Sequence, residues 1–134
     1  MFKNITFIIP TKNRSKNLDL QINYIKDWGA PIYILDGSDK LNFNIKSLAK
    51  KYKYIKYIHY PKEFKYRIKS LKGKIKTRYT MLMSDDEFFV KDSILQCIKF
   101  LDKNLDYVSC SGTAIGFKKT FSNKAIFKEI YPRL

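Results

Sequence analysis

Two hydrophobic periods alternate along this chain. Ile5-Thr6-Phe7-Ile8-Ile9 is a short β-branched run stopped by Pro10, which predicts a buried strand. Leu18, Ile22 and Ile25 follow at i, i+4 and i+7, one face of a helix that Ser15 is placed to cap. Gly29 and Pro31 punctuate its end. Ile32-Tyr33-Ile34-Leu35 predicts a second strand, ending at Asp36-Gly37-Ser38. Asp39 is a cap for the next helix, which carries Leu41, Ile45 and Leu48. Tyr54 to Tyr60 predicts a third strand stopped by Pro61. Phe64, Ile68, Leu71 and Ile75 form a third helical stripe, weakened at Gly73 by up to ~1 kcal/mol relative to Ala. Tyr79 to Met83 predicts a fourth strand. Asp92 or Ser93 starts a fourth helix bearing Ile94, Ile98, Leu101 and Leu105. Tyr107-Val108-Ser109-Cys110 reads as a fifth strand, and from Lys118 to Leu134 no firm period emerges.

Repeated strand–helix alternation implies an α/β fold with a mainly parallel, Rossmann-like sheet between helices. Ligands of such sheets bind beyond the C-terminal strand ends. Three polar clusters fall at those ends: Thr11-Lys12-Asn13-Arg14, Asp36-Gly37-Ser38-Asp39 and Ser84-Asp85-Asp86-Glu87. Carboxylates packed together repel, and each costs desolvation unless it is paired or bound to a cation. The last cluster therefore suits either a divalent metal carrying phosphate or the acidic first turn of a helix. Asp36 can accept from a nucleotide base N–H, or can simply be a turn residue beside Gly37. Thr11, Asn13 and Arg14 offer hydroxyl, amide and guanidinium groups to a nucleoside and phosphates, or form a loop and cap. Arg67 lies in a basic stretch, Lys62 to Arg78, where it can reach a diphosphate or line a solvated helix face.

Charge sharpens this picture. The 134 residues are about one domain's worth, and the net charge is +15. Such a surface attracts nucleotides, phosphosugars, nucleic acid or an anionic membrane face. Abundant Lys, Ile, Asn, Tyr and Phe are also what an AT-rich genome encodes, so charge alone names no partner. The run Lys50 to Tyr57 interleaves lysine with aromatics, but no nucleic-acid-binding signature accompanies it, and no specific nucleic-acid partner is expected. Cys97 and Cys110 match no metal spacing and read as small buried hydrophobes of a reducing compartment. No signal peptide and no apolar run long enough to span a bilayer is visible, so the expected location is cytoplasmic, with peripheral membrane contact open. The single histidine, His59, excludes a multi-histidine zinc site. No G-x-G-x-x-G, no P-loop and no G-x-S-x-G is present.

In order and spacing, the three strand ends resemble the donor-binding half of GT-A fold glycosyltransferases of the family 2 type. Ile5 to Arg14 is similar to that family's opening strand and loop. Ile34-Leu35-Asp36-Gly37-Ser38 is similar to its Asp-Asp-Gly-Ser segment, with Leu35 in place of the first acid. Thr77 to Phe88 is similar to the strand entering its DxD-like motif, with Ser84 where the first Asp falls.

The resemblance implies transfer of a sugar from a nucleotide-diphosphate donor, commonly a UDP-sugar, to an acceptor hydroxyl, with inversion. The acceptor would be a glycan or a lipid-linked molecule of bacterial surface-polysaccharide synthesis. It implies that Thr11, Asn13, Arg14 and Asp36 hold the nucleoside and that Arg67 approaches the diphosphate. Asp86 would ligate Mn²⁺ or Mg²⁺ with help from Asp85. The family's catalytic base lies well beyond its metal motif, and Glu129, the one acidic residue after Asp106, does not match it. Residues 1–134 thus read as a single nucleotide-sugar-binding domain without an acceptor-binding half. A non-catalytic binding module is the alternative reading.

Overall fold

The computed structural model describes the backbone of residues 2–119 and 125–131 and the side chains of residues 2–116. The chain divides into two compact units, Met1–Phe88 and Phe89–Leu134. The first unit alternates strand and helix: β1 (Ile5–Thr11), α1 (Ser15–Ile25), a 3-10 turn (Lys26–Trp28), β2 (Ile32–Asp36), α2 (Phe43–Lys51), β3 (Ile55–His59), α3 (Phe64–Lys69) and β4 (Tyr79–Leu82). The second contains α4 (Lys91–Lys103) and the strands β5 (Ala114–Lys119) and β6 (Ala125–Tyr131).

The four strands of the first unit form one all-parallel sheet in the order β3-β2-β1-β4. The fold is therefore α/β, with the parallel, Rossmann-like sheet expected from the sequence. The inner strands β1 and β2 read as near-continuous apolar runs because both of their faces are covered, whereas β3 and β4, at the ends of the sheet, carry exposed positions. Phe7, Ile9, Ile32 and Ile34 share one face, and none has measurable solvent exposure. Trp28 packs on that face, its ring centroid 6.0 Å from Phe7 and 5.7 Å from Phe2. On the other face Ile8, Leu35 and Leu71 form a core with Ile58, Ile68 and Ile75 against it. Two crossovers thus run over one face and the third over the other. The winding reverses at β1, so the crevice beyond β1 and β4 is the topological switch point, where open α/β sheets bind ligands.

Several elements differ from the sequence expectation. The third helix stops at Lys69, and the following main-chain bonds shift to the i→i−3 spacing, including Leu71 N to Ile68 O and Lys74 N to Leu71 O. Gly73 there has φ +74°, which favours glycine. The apolar stripe still packs as expected, because Ile68, Leu71 and Ile75 all reach the core. Tyr107 to Cys110 is not a strand; Val108 is 98% exposed, so that run has nothing to pack on. β5 and β6 pair antiparallel, β6 falling within the stretch Lys118 to Leu134 that shows no firm period. Cys110 is exposed and Cys97 half-buried, so neither is the buried hydrophobe expected. Among helix caps, Arg14 rather than Ser15 precedes α1, and Asn42 rather than Asp39 caps α2, its side chain accepting from Ile45 N at 3.1 Å.

Candidate functional site

The ends of β1, β2 and β4 bring most of the singled-out residues together. Thr11, the last residue of β1, donates its hydroxyl to Asp85 Oδ2 at 2.6 Å. Arg14 lies 2.8 Å from Asp85 Oδ1 and 2.7 Å from Asp86 Oδ2, bridging the two carboxylates. Asp86 also accepts from the Ser84 hydroxyl. Those bonds, Ser84 first and Arg14 second, hold the Asp86 carboxyl below the usual carboxylate range. The same contacts, Asp86 first and then Asp85, raise the Arg14 guanidinium. The repulsion expected of adjacent aspartates is thus offset by one shared cation.

The end of β2 is a second polar knot. Asp36 is 1% exposed, with Oδ2 accepting from the Tyr57 hydroxyl at 2.5 Å and Oδ1 from Ser38 N at 2.8 Å. Burial, and then the bond to Asp36, push the Tyr57 phenol above its ordinary range. His59 Nε2 lies 2.8 Å from Ser38 O, a structural use of the single histidine. Asn13 adopts φ 55°, a left-handed conformation that Asn tolerates well. This turn lets Asn13 N donate to Ser38 Oγ at 2.7 Å and Asn13 Nδ2 to Asp39 Oδ2 at 2.9 Å. Between the two strand ends opens a cavity of about 320 Å³, with Thr11, Asn13, Asp36, Ser38, Asp39 and Asn42 in its wall. That is the lower range of small-molecule sites. Arg14, Asp85 and Asp86 do not line it; Thr11 belongs to both the cavity and the acidic corner.

Arg67 stands apart from the cavity. It is 6% exposed and donates from one terminal nitrogen to Thr11 O and Leu35 O, both at 2.7 Å. It lies directly under Gly37, where a Cβ would come within 2.6 Å of the guanidinium carbon. Its Nε has no hydrogen-bond partner among the described residues. Arg67 therefore ties β1 to β2 from beneath rather than reaching into an open diphosphate site. Its charge still adds positive potential at the strand ends.

Gln21 and Tyr57 escaped the sequence reading. Gln21 is 1% exposed and donates from Nε2 to Ser84 O at 2.5 Å and Glu87 O at 3.1 Å. It spans the turn that carries Asp85 and Asp86. Its signal was faint: a polar residue inside the stripe of Leu18, Ile22 and Ile25. Tyr57 shares the period-2 face of Ile55, which marked it as inward-facing.

The donor set meets a divalent cation only in part. Both Asp85 oxygens are engaged, and its side chain is 3% exposed. Both Asp86 oxygens are engaged too, by Arg14 and Ser84, but its side chain is 47% exposed, so it is the more accessible of the two. Among the described residues no group of three or more His, Cys, Asp or Glu side chains gathers as a metal cage. One carboxylate completed by substrate phosphates is nevertheless a common arrangement for Mg²⁺. Of the two aspartates expected to ligate a metal, Asp86 is the one with an accessible carboxylate, while Asp85 is taken up by Arg14 and Thr11. Glu129 has its side chain outside the described residues.

A parallel sheet whose polar residues collect beyond its C-terminal strand ends defines an open α/β ligand-binding domain. The sequence profile of glycosyl transferase family 2 matches residues 6–133, and the chain belongs to that family. It is a glycosyltransferase at the level of the family, whose members take a sugar donor and an acceptor. No curated protein matches the chain. Among the described residues no helix is long and apolar enough to cross a membrane.

Proposed function

We propose that this chain binds a nucleotide-diphosphate sugar, a UDP-sugar foremost, at the ends of β1, β2 and β4, for inverting transfer to a glycan or lipid-linked acceptor in bacterial surface-polysaccharide synthesis. The observation that carries the donor half is the convergence of Thr11, Asn13, Arg14, Asp36, Asp85 and Asp86 at the switch point, beside a cavity of about 320 Å³. Inversion, the acceptor class and the pathway rest on family membership.

In this reading Thr11, Asn13 and Asp36 surround the nucleoside. Tyr57 and Ser38 fix the Asp36 carboxylate, so its remaining lone pairs are aimed before a base arrives. Arg14 is the mobile cation: half-exposed, it can turn from Asp86 toward a diphosphate while Asp85 keeps hold of its other nitrogen. Asp86 is the residue that would hold Mn²⁺ or Mg²⁺. Such an ion, when bound, supplies charge neutralisation for the departing nucleoside diphosphate.

The test is calorimetry with UDP and MnCl₂ on the wild type and on Asp86→Ala. Metal-dependent binding, at least about tenfold weaker in the variant, is the expected result. A wild type that binds no nucleoside diphosphate, with or without metal, overturns the proposal. A donor-hydrolysis assay on the same samples separates a working transferase from a binding module, because the module binds without turnover.

A further inference from the structure

Away from that site, the free side of β3 has the makings of an interaction surface. Among the described residues β3 pairs with β2 alone and ends the sheet. Residues of a parallel strand turn both main-chain groups to alternate sides. Tyr54 O accepts from Ile32 N and Tyr60 N donates to Asp36 O, so the even-numbered positions face β2. Tyr57 and His59 consequently turn their N–H and C=O groups outward. A groove of about 650 Å³ follows this edge. Ile55 and Ile58 contribute to its floor, and its wall carries Lys46, Lys50, Lys56 and Lys74 with no carboxylate. All four lysines are exposed.

The lysines flank the edge on both sides of the sheet. Lys46 and Lys50 belong to α2, whose cap residue Asn42 donates its N–H to Tyr57 Oη at 2.9 Å on one face. Lys56 shares the opposite face with Ile58, and Lys74 O accepts from Tyr33 on that same face. An extended chain presents alternate side chains to the two faces. Acidic residues at both even and odd positions would therefore each meet lysine.

We propose that this edge is a docking site for an extended acidic segment of a partner protein, which adds to the sheet beside β3. Two observations select this occupant. The edge offers main-chain donors and acceptors in turn, which a polypeptide matches and an acceptor-only phosphate chain does not. A second copy of the chain would bring another +15 charge against the first. Edge lysines are also a common guard against pairing. They guard against basic and neutral strands and attract acidic ones.

Fluorescence anisotropy with a labelled acidic peptide of about eight Glu, Asp, Thr and Val residues tests the proposal. Reversing Lys46, Lys50, Lys56 and Lys74 to Glu should weaken binding at least about tenfold. Reversing the exposed Lys16, Lys65, Lys69 and Lys72 gives the same net charge and should change it less than about threefold. A peptide N-methylated at every residue, which can offer no main-chain donor from either edge, should fail to bind. In the wild-type chain, amide exchange at Tyr57 and His59 should slow when peptide is added, a readout that needs no variant to fold. Equal loss in both reversals, full binding by the N-methylated peptide, or unchanged exchange at Tyr57 and His59 each overturns the proposal. So does groove-dependent binding of single-stranded DNA or polyphosphate without binding of the peptide.

Discussion

At the scale of single residues, the two aspartates do different work. Asp85 is buried and holds both Thr11 and Arg14, whereas Asp86 is half-exposed, accepts from Ser84 and shares Arg14 with Asp85. Removing a buried partner leaves its donors unpaired, while removing an exposed one leaves them to water. Asp85→Ala is therefore expected to cost about 1–3 kcal/mol in urea unfolding, and Asp86→Ala less than about 1 kcal/mol. The same pair of variants reverses its order for nucleotide binding with metal, where Asp86→Ala is the more direct loss. A similar argument applies to Tyr57. Its phenol is buried against Asp36 and raised above the ordinary value of about 10. In the unfolded chain it ionises near that ordinary value, while the folded chain still holds the proton. Its contribution to stability is thus complete below pH about 10 and declines as pH rises through the folded value. The difference in ultraviolet absorbance between wild type and Tyr57→Phe should show a phenol that ionises only above the ordinary tyrosine range. A difference signal centred at the ordinary range would remove Tyr57 as the support of Asp36.

At the scale of elements, two loops are held by side chains from elsewhere. Gln21 of α1 clamps the turn after β4 through Ser84 O and Glu87 O. Gln21→Leu leaves both carbonyls without this donor and is expected to cost about 1–3 kcal/mol. Hydrogen exchange in residues 84–87 should rise more than exchange in the sheet. Arg67 of α3 lies below the loop after β2, pinned by two carbonyls, so it has little freedom to retreat. Gly37→Ala should therefore destabilise by about 1–3 kcal/mol, and by less when Arg67 is also replaced by Ala. Additive costs in that double-mutant cycle would show that the close approach is not what requires glycine. These contacts also mark how far the sequence could be read. The strands β1 and β2 were legible because burial of both sheet faces writes a near-continuous apolar run, and β3 and β4 because β-branched and aromatic residues gather between turn signals. Thr11, Asp36, Asp85 and Asp86 were legible as abrupt polar breaks at strand ends. Arg67 and Gln21 were not, because their partners lie 32 to 66 residues away and are main-chain carbonyls, which leave no residue-type signature. Tyr107 to Cys110 misled because local apolar alternation says nothing of whether a neighbouring strand exists.

At the scale of the whole molecule, the net charge of +15 acts beyond any single contact. A transferase using a lipid-linked acceptor must meet that acceptor at a bilayer surface, and among the described residues no helix is long and apolar enough to cross one. Electrostatic attraction to anionic lipid is worth about 1 kcal/mol per Lys or Arg near the surface. A handful of the 27 basic residues is enough to hold the protein there at low ionic strength. That attraction fades within a Debye length, about 10 Å at 0.1 M salt and about 3 Å at 1 M. The protein should sediment with phosphatidylserine-containing vesicles at about 0.1 M salt, stay in solution with purely zwitterionic ones, and come off the anionic vesicles as salt approaches about 1 M. Binding that survives high salt, or that ignores lipid charge, would mean that apolar insertion holds the protein instead. Absence of binding at low salt would remove the membrane from the proposed reaction and leave a soluble acceptor. The outcome bears on the β3 edge too. If the lysines of its groove are reversed and vesicle binding persists, the bilayer and the acidic partner use different parts of the basic surface, and both can be engaged at once.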